Sequence, residues 1–234
     1  MILFYSEKID GETAILTDGE AIHCKQALRK KVGEIIIVTD GKGKTYEAEI
    51  TSIGKKEVEL KLLKEVPLSA KRDFRIHIAI APTKNISRFE WFLEKATELG
   101  IDEITPILCA RSERKVIKSE RLNKILLSAM KQSLKSELPK LNELTKLSAF
   151  LKKDFEGQCF IAHLEEEPEL LVKSYQQGSD VLILIGPEGD FMLEEIEMAK
   201  QSGFESVSLG DYRLRTETAG ISSVQAIHFC NMVG

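Results

Sequence analysis

The sequence has no apolar run near the roughly 18 to 20 residues that a helix needs to span a bilayer. Its amino terminus, MILFYSEKID, has no basic region followed by an apolar core and a small-residue cleavage site. No membrane association is expected, and a cytoplasmic location is the expectation. Cysteine is sparse: Cys24, Cys109, Cys159 and Cys230 lie far apart with no CxxC pair, which argues against a zinc ribbon and a disulfide framework and for reduced, mostly buried thiols. His23, His77, His163 and His228 are equally dispersed, and no His or Cys pair has metal-ligand spacing, so no metal site is expected. No repeat or low-complexity segment is evident. The only tryptophan is Trp91.

What is present describes an ordinary globular chain. Its 234 residues, 43% hydrophobic and 30% charged, suffice for one large core or two modest ones. The formal net charge of −4 is a poor recommendation for a nucleic-acid binder until it is resolved along the chain. Residues 1–72 hold 13 Lys/Arg against 12 Asp/Glu, residues 73–147 hold 14 against 10, and residues 148–234 hold 6 against 15, so the acidity is local to the end. Between Arg111 and Lys140 the balance is 9 basic to 3 acidic. A solvated helix face accounts for part of such a stripe. Contact with a phosphate backbone requires the same feature.

Residues 1 to about 70 read as short strands at Ile2 to Tyr5, Thr13 to Thr17, Glu34 to Thr39, Thr45 to Ile53 and Glu57 to Lys64. Tyr46, Ala48 and Ile50, and again Val58, Leu60 and Leu62, alternate with polar residues, so one face is wet and a small barrel is expected. His23 to Glu34 reads as a helix ending at Gly33, with Arg29, Lys30 and Lys31 in its last turn, where cations favour a carboxyl terminus. Val66-Pro67-Leu68-Ser69 with Ala70-Lys71-Arg72 breaks both periodicities and is the expected domain boundary.

Beyond it, strands at Phe74 to Ala81, Ile104 to Ala110 and Cys159 to Leu164 alternate with helices at Ser87 to Leu99, about Ser119 to Leu138, and Pro168 to Tyr175. Phe89, Phe92, Leu93, Ala96 and Leu99 form one helix face, with Gly100 as its cap. Trp91 falls off that stripe; it is a second packing face or an interface anchor, and core packing is the commoner fate. Two strand-loop-helix units close the chain, Val181 to Pro187 running into Glu188, Gly189 and Asp190, and Val207 to Ala219. This alternation predicts an α/β fold with a doubly wound parallel sheet over residues 73–234, whose strand-end loops have main-chain amides free for a ligand.

Ile185 to Gly189 (IGPEG) together with Leu214 to Ala219 (LRTETA) resembles the RsmE-type 16S ribosomal RNA methyltransferases of the SPOUT superfamily, which methylate N3 of a uridine. The resemblance extends through Lys84, Arg88, Lys95 to Gly100 (KATELG), Arg111 to Arg114 and Ala129 to Ser133. In the amino-terminal half, His23, Leu28, Arg29 and Gly33 match the family's H..kVLR.k.G motif. The resemblance implies a PUA-like β-barrel RNA-binding domain at 1–70 and a trefoil-knotted, dimerising SPOUT methyltransferase domain at 73–234. It also implies a homodimer, S-adenosylmethionine as cofactor, and 16S rRNA or the small ribosomal subunit as partner.

By the same analogy the cofactor lies against three loops. One follows His163 and Leu164; the second is Ile185, Gly186, Pro187, Glu188 and Gly189; the third runs from Leu209 and Gly210 to Leu214, Thr216, Thr218 and Ala219. RNA contacts are implied for Arg29, Lys30, Lys31, Lys84, Arg88, Arg111 and Arg114. The chain departs from the family at Asp190-Phe191-Met192, where the pattern has Gly-Phe followed by Ser or Thr, and at Arg213, one place later than the family's first arginine. Asp190 is the expected replacement helix cap.

Uridine N3 must lose a proton, and the resulting charge on O2 and O4 needs donors. Arg215 is the candidate for that charge or a neighbouring phosphate. Glu217 or Glu188 can serve as base or as a brace at a helix start, and Thr216 and Thr218 are expected caps of the last helix. Two alternatives remain at this point: a non-catalytic rRNA-binding protein of ribosome assembly, and a SPOUT methyltransferase acting on another RNA. A phosphate-binding loop of a nucleotide hydrolase is disfavoured, since no Lys-Ser or Lys-Thr follows the glycines of IGPEG.

Overall fold

The structure is a computed structural model and describes residues 1–68, 72–165 and 168–233. The expected domain boundary at Val66 to Arg72 therefore lies partly outside the described residues. The chain forms two compact units, Met1–Lys71 with Leu127–Leu138, and Arg72–Leu126 with Pro139–Gly234. A single boundary near residue 70 places Leu127–Leu138 in the second half, whereas the fold returns this segment to the first.

The first unit is a six-stranded sheet of β1 Leu3–Tyr5, β2 Lys8–Asp10, β3 Thr13–Leu16, β4 Ile35–Thr39, β5 Thr45–Ile53 and β6 Val58–Glu65, in the order β1-β4-β5-β6-β3-β2. All pairs are antiparallel except β1 with β4. In β6 Val58, Leu60 and Leu62 face inward between exposed neighbours, and register shifts at Glu47/Ala48 and Ile50/Ser52 curl β5 around a core that includes Phe4, Leu16, Val38 and Ile50.

The helix expected over His23 to Glu34 is displaced toward the amino terminus. It runs as α1 Asp18–Ile22, continues as a π-helical turn over His23–Ala27, and is halted where Arg29 takes φ +52°. Asp18 and Glu20 suit its positive end, and Ala21 and Cys24 anchor it on the barrel core. Arg29, Lys30 and Lys31 thus follow the helix in a loop instead of forming its last turn. Lys131, from the later segment, forms a largely buried ion pair with Glu20, whose other oxygen accepts the Tyr5 N–H at 3.1 Å. Ser136 C=O accepts Gly43 N–H at 3.1 Å.

The second unit contains β7 Ile76–Ile80, α2 Ile86–Leu99, β8 Glu103–Leu108, the first half of α3 Ser119–Gln132, β9 Lys140–Leu141, β10 Thr145–Lys146, α4 Leu147–Phe150, β11 Gln158–Ala162, α5 Leu171–Ser174, β12 Val181–Ile185, α6 Leu193–Gln201, β13 Glu205–Val207 and α7 Thr216–Val233. The sheet is parallel in the order β10-β8-β7-β12-β11-β13, with β9 also beside β8. Helix α3 stops short of the expected Leu138 because Leu134 turns left-handed at φ +55°.

Every residue of β7 and β12 is buried, as strands covered on both faces require. Asn85 caps α2 by accepting Ser87 N–H at 3.1 Å, Gly100 at φ +106° ends it, and Phe89, Phe92, Leu93 and Ala96 point inward. Trp91 lies on the outward side, 45% exposed, contrary to the expected core packing, since the buried stripe is already complete. Helix α7 packs on α2, β7 and β12. Closeness there depends on Gly220, where a Cβ would lie 2.6 Å from the Phe92 ring and 3.0 Å from Ile80 Cδ1.

One row of the sheet breaks its apolar pattern. His77, at the amino end of β7, is buried, and its Nε2 lies 2.8 Å from Thr105 Oγ1; Asn142 Nδ2 donates to Thr105 Oγ1 at 2.7 Å and to Glu103 Oε1 at 2.6 Å. Burial pushes the His77 pKa down to about 4, the cations of Lys140, Arg75 and Lys153 add to this, and Glu103 opposes it.

Two expectations follow. Gly220→Ala destabilises the chain by about 1–3 kcal/mol through overpacking against Phe92, read as a lower urea midpoint. His77 is neutral in the fold while the unfolded chain takes up its proton near the ordinary pKa of about 6.5, so stability is full above that pH and falls on acidification toward about 4. The loss is roughly 3 kcal/mol at most, and His77→Gln should flatten this limb of a stability–pH curve.

Candidate functional site

The carboxyl ends of β11, β12 and β13 open on one cavity of about 400 Å³. Its wall is mixed: Ala162, Leu164, Ile185, Leu209, Leu214 and Ala219 supply apolar surface, while Glu188, Asp190, Arg88, Arg213 and Arg215 supply charge. The two glycine-punctuated loops therefore face the same space. Of the residues expected around a ligand, His163, Leu164, Ile185, Gly186, Pro187, Glu188, Leu209, Gly210, Leu214, Arg215, Thr216 and Ala219 line it. Gly189, Thr218 and Glu217 are not on the wall, and Ala162, Ser208 and Tyr212, which are, carried no sequence signal beyond their position next to strand ends.

Charged side chains bonded to main-chain groups hold the loops together. Asp190 adopts φ +62°, accepts Leu164 N–H on Oδ2 at 3.2 Å and Phe191 N–H on Oδ1 at 2.8 Å, and so joins the first loop to the second. It is not the helix cap expected of it. Met192 occupies that position, and the buried Glu195 carboxylate accepts Met192 N–H at 3.0 Å and Ala110 N–H at 2.8 Å. Glu188 Oε1 accepts Lys84 N–H at 2.8 Å.

Arg111 donates to Gly189 C=O at 2.6 Å and Phe191 C=O at 3.3 Å; Arg114 donates to Thr83 C=O at 2.9 Å and Lys84 C=O at 2.6 Å. Both arginines thus brace loops, and Lys84 pairs with Glu113 at 2.7 Å in the open. His163 Nδ1 accepts Glu165 N–H at 3.1 Å, which leaves Nε2 as the donor toward Ser206 Oγ at 2.8 Å.

At the start of α7, Arg215 C=O accepts Ala219 N–H at 2.8 Å, so Arg215 holds the cap position that Thr216 and Thr218 were expected to fill. Glu217 lies beneath the wall, buried, with Oε1 3.8 Å from Arg88 Nε and no donor on Oε2 among the described residues. Its charge faces an arginine of the cavity instead of the cavity itself.

Residues 70–228 match the RNA methyltransferase domain family, and residues 16–63 the RNA methyltransferase PUA domain. The chain belongs to the RNA methyltransferase family. It is 28% identical to the ribosomal RNA small subunit methyltransferase E of Bacillus subtilis, over 94% of this chain and 91% of that protein. Among solved structures, a probable rRNA-methyltransferase from Porphyromonas gingivalis is 40% identical with a TM-score of 0.91, covering 99% of each chain. The ribosomal RNA small subunit methyltransferase E of Neisseria gonorrhoeae bound to S-adenosyl methionine is 27% identical with a TM-score of 0.86, over 99% of this chain and 98% of that one.

The cavity of this RNA methyltransferase suits a nucleoside-bearing cofactor. It has the size of a small-molecule site, apolar strand-end residues for a ring, and carboxylates and guanidiniums for charged groups. Gly210, at φ +123° with no atom within 4 Å of where a Cβ would stand, presents bare main chain on the wall. Among the described residues no helix is long and apolar enough to cross a membrane, and no group of three or more His, Cys, Asp and Glu side chains could hold a metal ion.

Arg111→Ala removes two bonds from the second loop. Hydrogen exchange of the amides from Gly189 to Met192 should accelerate about tenfold or more, while that of β7 amides stays unchanged.

Proposed function

We propose that the chain transfers a methyl group from S-adenosylmethionine to N3 of a uridine in the 16S rRNA of the small ribosomal subunit. The observation that carries this reading is the single cavity on which the loops after β11, β12 and β13 converge, with Arg88 and Arg215 on its wall. The cofactor, when bound, supplies an electrophilic methyl on a sulfonium. His163, Leu164, Ile185 to Glu188, Leu209, Gly210 and Leu214 are assigned to hold it.

The protein's own part is position and charge. The uridine must be unpaired or flipped, because N3 is used in Watson–Crick pairing. Arg215 stabilises the charge that develops on O2 and O4 as the N3 proton leaves. Glu188 is the better base: it is on the wall and its Oε2 has no hydrogen-bond partner among the described residues, whereas Glu217 lies beneath the wall. Glu217 is assigned to hold Arg88, which faces the RNA backbone. The Glu188 carboxylate would take the N3 proton, leaving the N3 lone pair to accept the methyl group that the bound cofactor would supply.

We assign RNA contact to the amino-terminal unit through Arg29 and Lys31, which are exposed in the loop after the π-helical turn, with Lys30 partly engaged by Glu34 at 2.7 Å. Arg111 and Arg114 act on RNA only indirectly in this reading, by shaping the loops. Two copies are proposed to pair through the outer faces of α2 and α7, where Trp91, Phe229 and Met232 are exposed, and the course of α7 from β13 back across β12 and β7 supports the knotted path of the superfamily. The cytoplasm is the compartment this reading requires.

Arg215→Ala should cut transfer of labelled methyl to 16S rRNA by about a hundredfold or more with an unchanged unfolding midpoint; normal turnover would remove Arg215 from the mechanism. Phe229→Asp should sediment as a monomer where the parent chain is a dimer; an unchanged sedimentation coefficient would place pairing elsewhere.

A further inference from the structure

The second unit has another cavity, of about 300 Å³, lined from the amino-terminal parts of β7, β8 and β12 and from β9, in the same sheet that carries the methyl-transfer site at the carboxyl ends of β11, β12 and β13. His77, Glu103 and Lys140 are in register on β7, β8 and β9, and Thr105 and Asn142 follow next on the same face. Strands buried on both faces read as continuous apolar runs, so a polar row here breaks the local rule, as functional sites do.

The imidazole is held at one nitrogen. Asn142 donates to Thr105 Oγ1, and the assignment that also uses the threonine hydroxyl's own hydrogen has it donate to His77 Nε2, with the ring proton on Nδ1. His77 is 8% exposed, it lines the cavity, and Nδ1 has no hydrogen-bond partner among the described residues. The floor therefore offers a neutral donor. Two aromatic rings flank it, Phe150 at 5.9 Å and Phe155 at 6.1 Å between centroids. Lys140 and Lys153 stand at the rim, the former paired with Glu103 at 3.0 Å and the latter exposed, beside Asp154.

We propose that this cavity binds a nucleotide: a planar base beside Phe155 with an acceptor on His77 Nδ1–H, and its phosphate at Lys153 and Lys140. Aromatic rings beside a fixed donor with cations one sugar away match how unstacked nucleotides are recognised. The same chemistry serves a free mononucleotide or a splayed nucleotide of an RNA strand. The site is separate from methyl transfer and does not depend on the uridine assignment.

Calorimetric titration of the full chain with the four ribonucleoside 5′-monophosphates and a single-stranded hexaribonucleotide tests it. At least one nucleotide should bind one per chain, about five- to tenfold more weakly to Lys153→Glu and not measurably to His77→Phe. Tighter binding of the hexamer identifies an RNA nucleotide as the occupant, and tighter binding of a mononucleotide a free one. Lys153 is exposed, so its variant tests the site even if His77→Phe does not fold. No heat with any nucleotide, heat insensitive to Lys153→Glu, or equal heat from inorganic phosphate would overturn the proposal.

Discussion

Charged side chains bound to main-chain groups are the constraint on which the rest of the second unit depends. A parallel sheet buried on both faces leaves its polar work to the loops at the strand ends, and those loops have few partners of their own. Here Asp190, Glu188, Glu195, Arg111 and Arg114 supply them, each reaching a main-chain N–H or C=O of a segment other than its own. A hydrogen bond to an ionised group contributes about 1.5–3 kcal/mol, more than a neutral one. The set ties the loop after β11 to the loop after β12, and that loop to the segment after β7.

This arrangement explains why the cavity has arginines on its wall yet little free carboxylate. Asp190 has both oxygens engaged by amides, and Glu188 one. The cations Arg88 and Arg215 remain to meet a substrate that is itself anionic, with the buried Glu217 behind Arg88, while Arg213 donates to Glu188 C=O at 3.4 Å and so joins the loop after β13 to the loop after β12. Preorganised charge of this sort costs nothing to reorganise during reaction, and methyl transfer from a bound donor relies on position and charge more than on covalent chemistry.

Much of the fold was legible because its signals are local. The apolar runs of β7 and β12, the stripe on α2 and the alternation in β6 each specify an element without reference to the rest. What was not legible depends on partners distant in sequence. The loop-bracing role of Arg111 and Arg114 was not legible, because nothing local reveals that their donors reach loop carbonyls some 30 to 80 residues away. Asp190 reads as a cap because a non-glycine residue at φ +62° is not a local expectation. The helix near His23 is misplaced because Gly33 looks like its stop, while the actual stop is the left-handed Arg29. Gly220 and the polar row at His77 are invisible without the neighbour that each one touches.

The central claim is that three loops, pinned to one another, enclose one methyl donor. Titration of the wild-type chain with S-adenosylmethionine, followed by crystallography of the complex, tests it most directly. The account predicts one cofactor per chain, in contact with Leu164, the Ile185 to Glu188 loop and Leu214 together. Saturable binding with the cofactor elsewhere, or no binding at millimolar concentration, would contradict it.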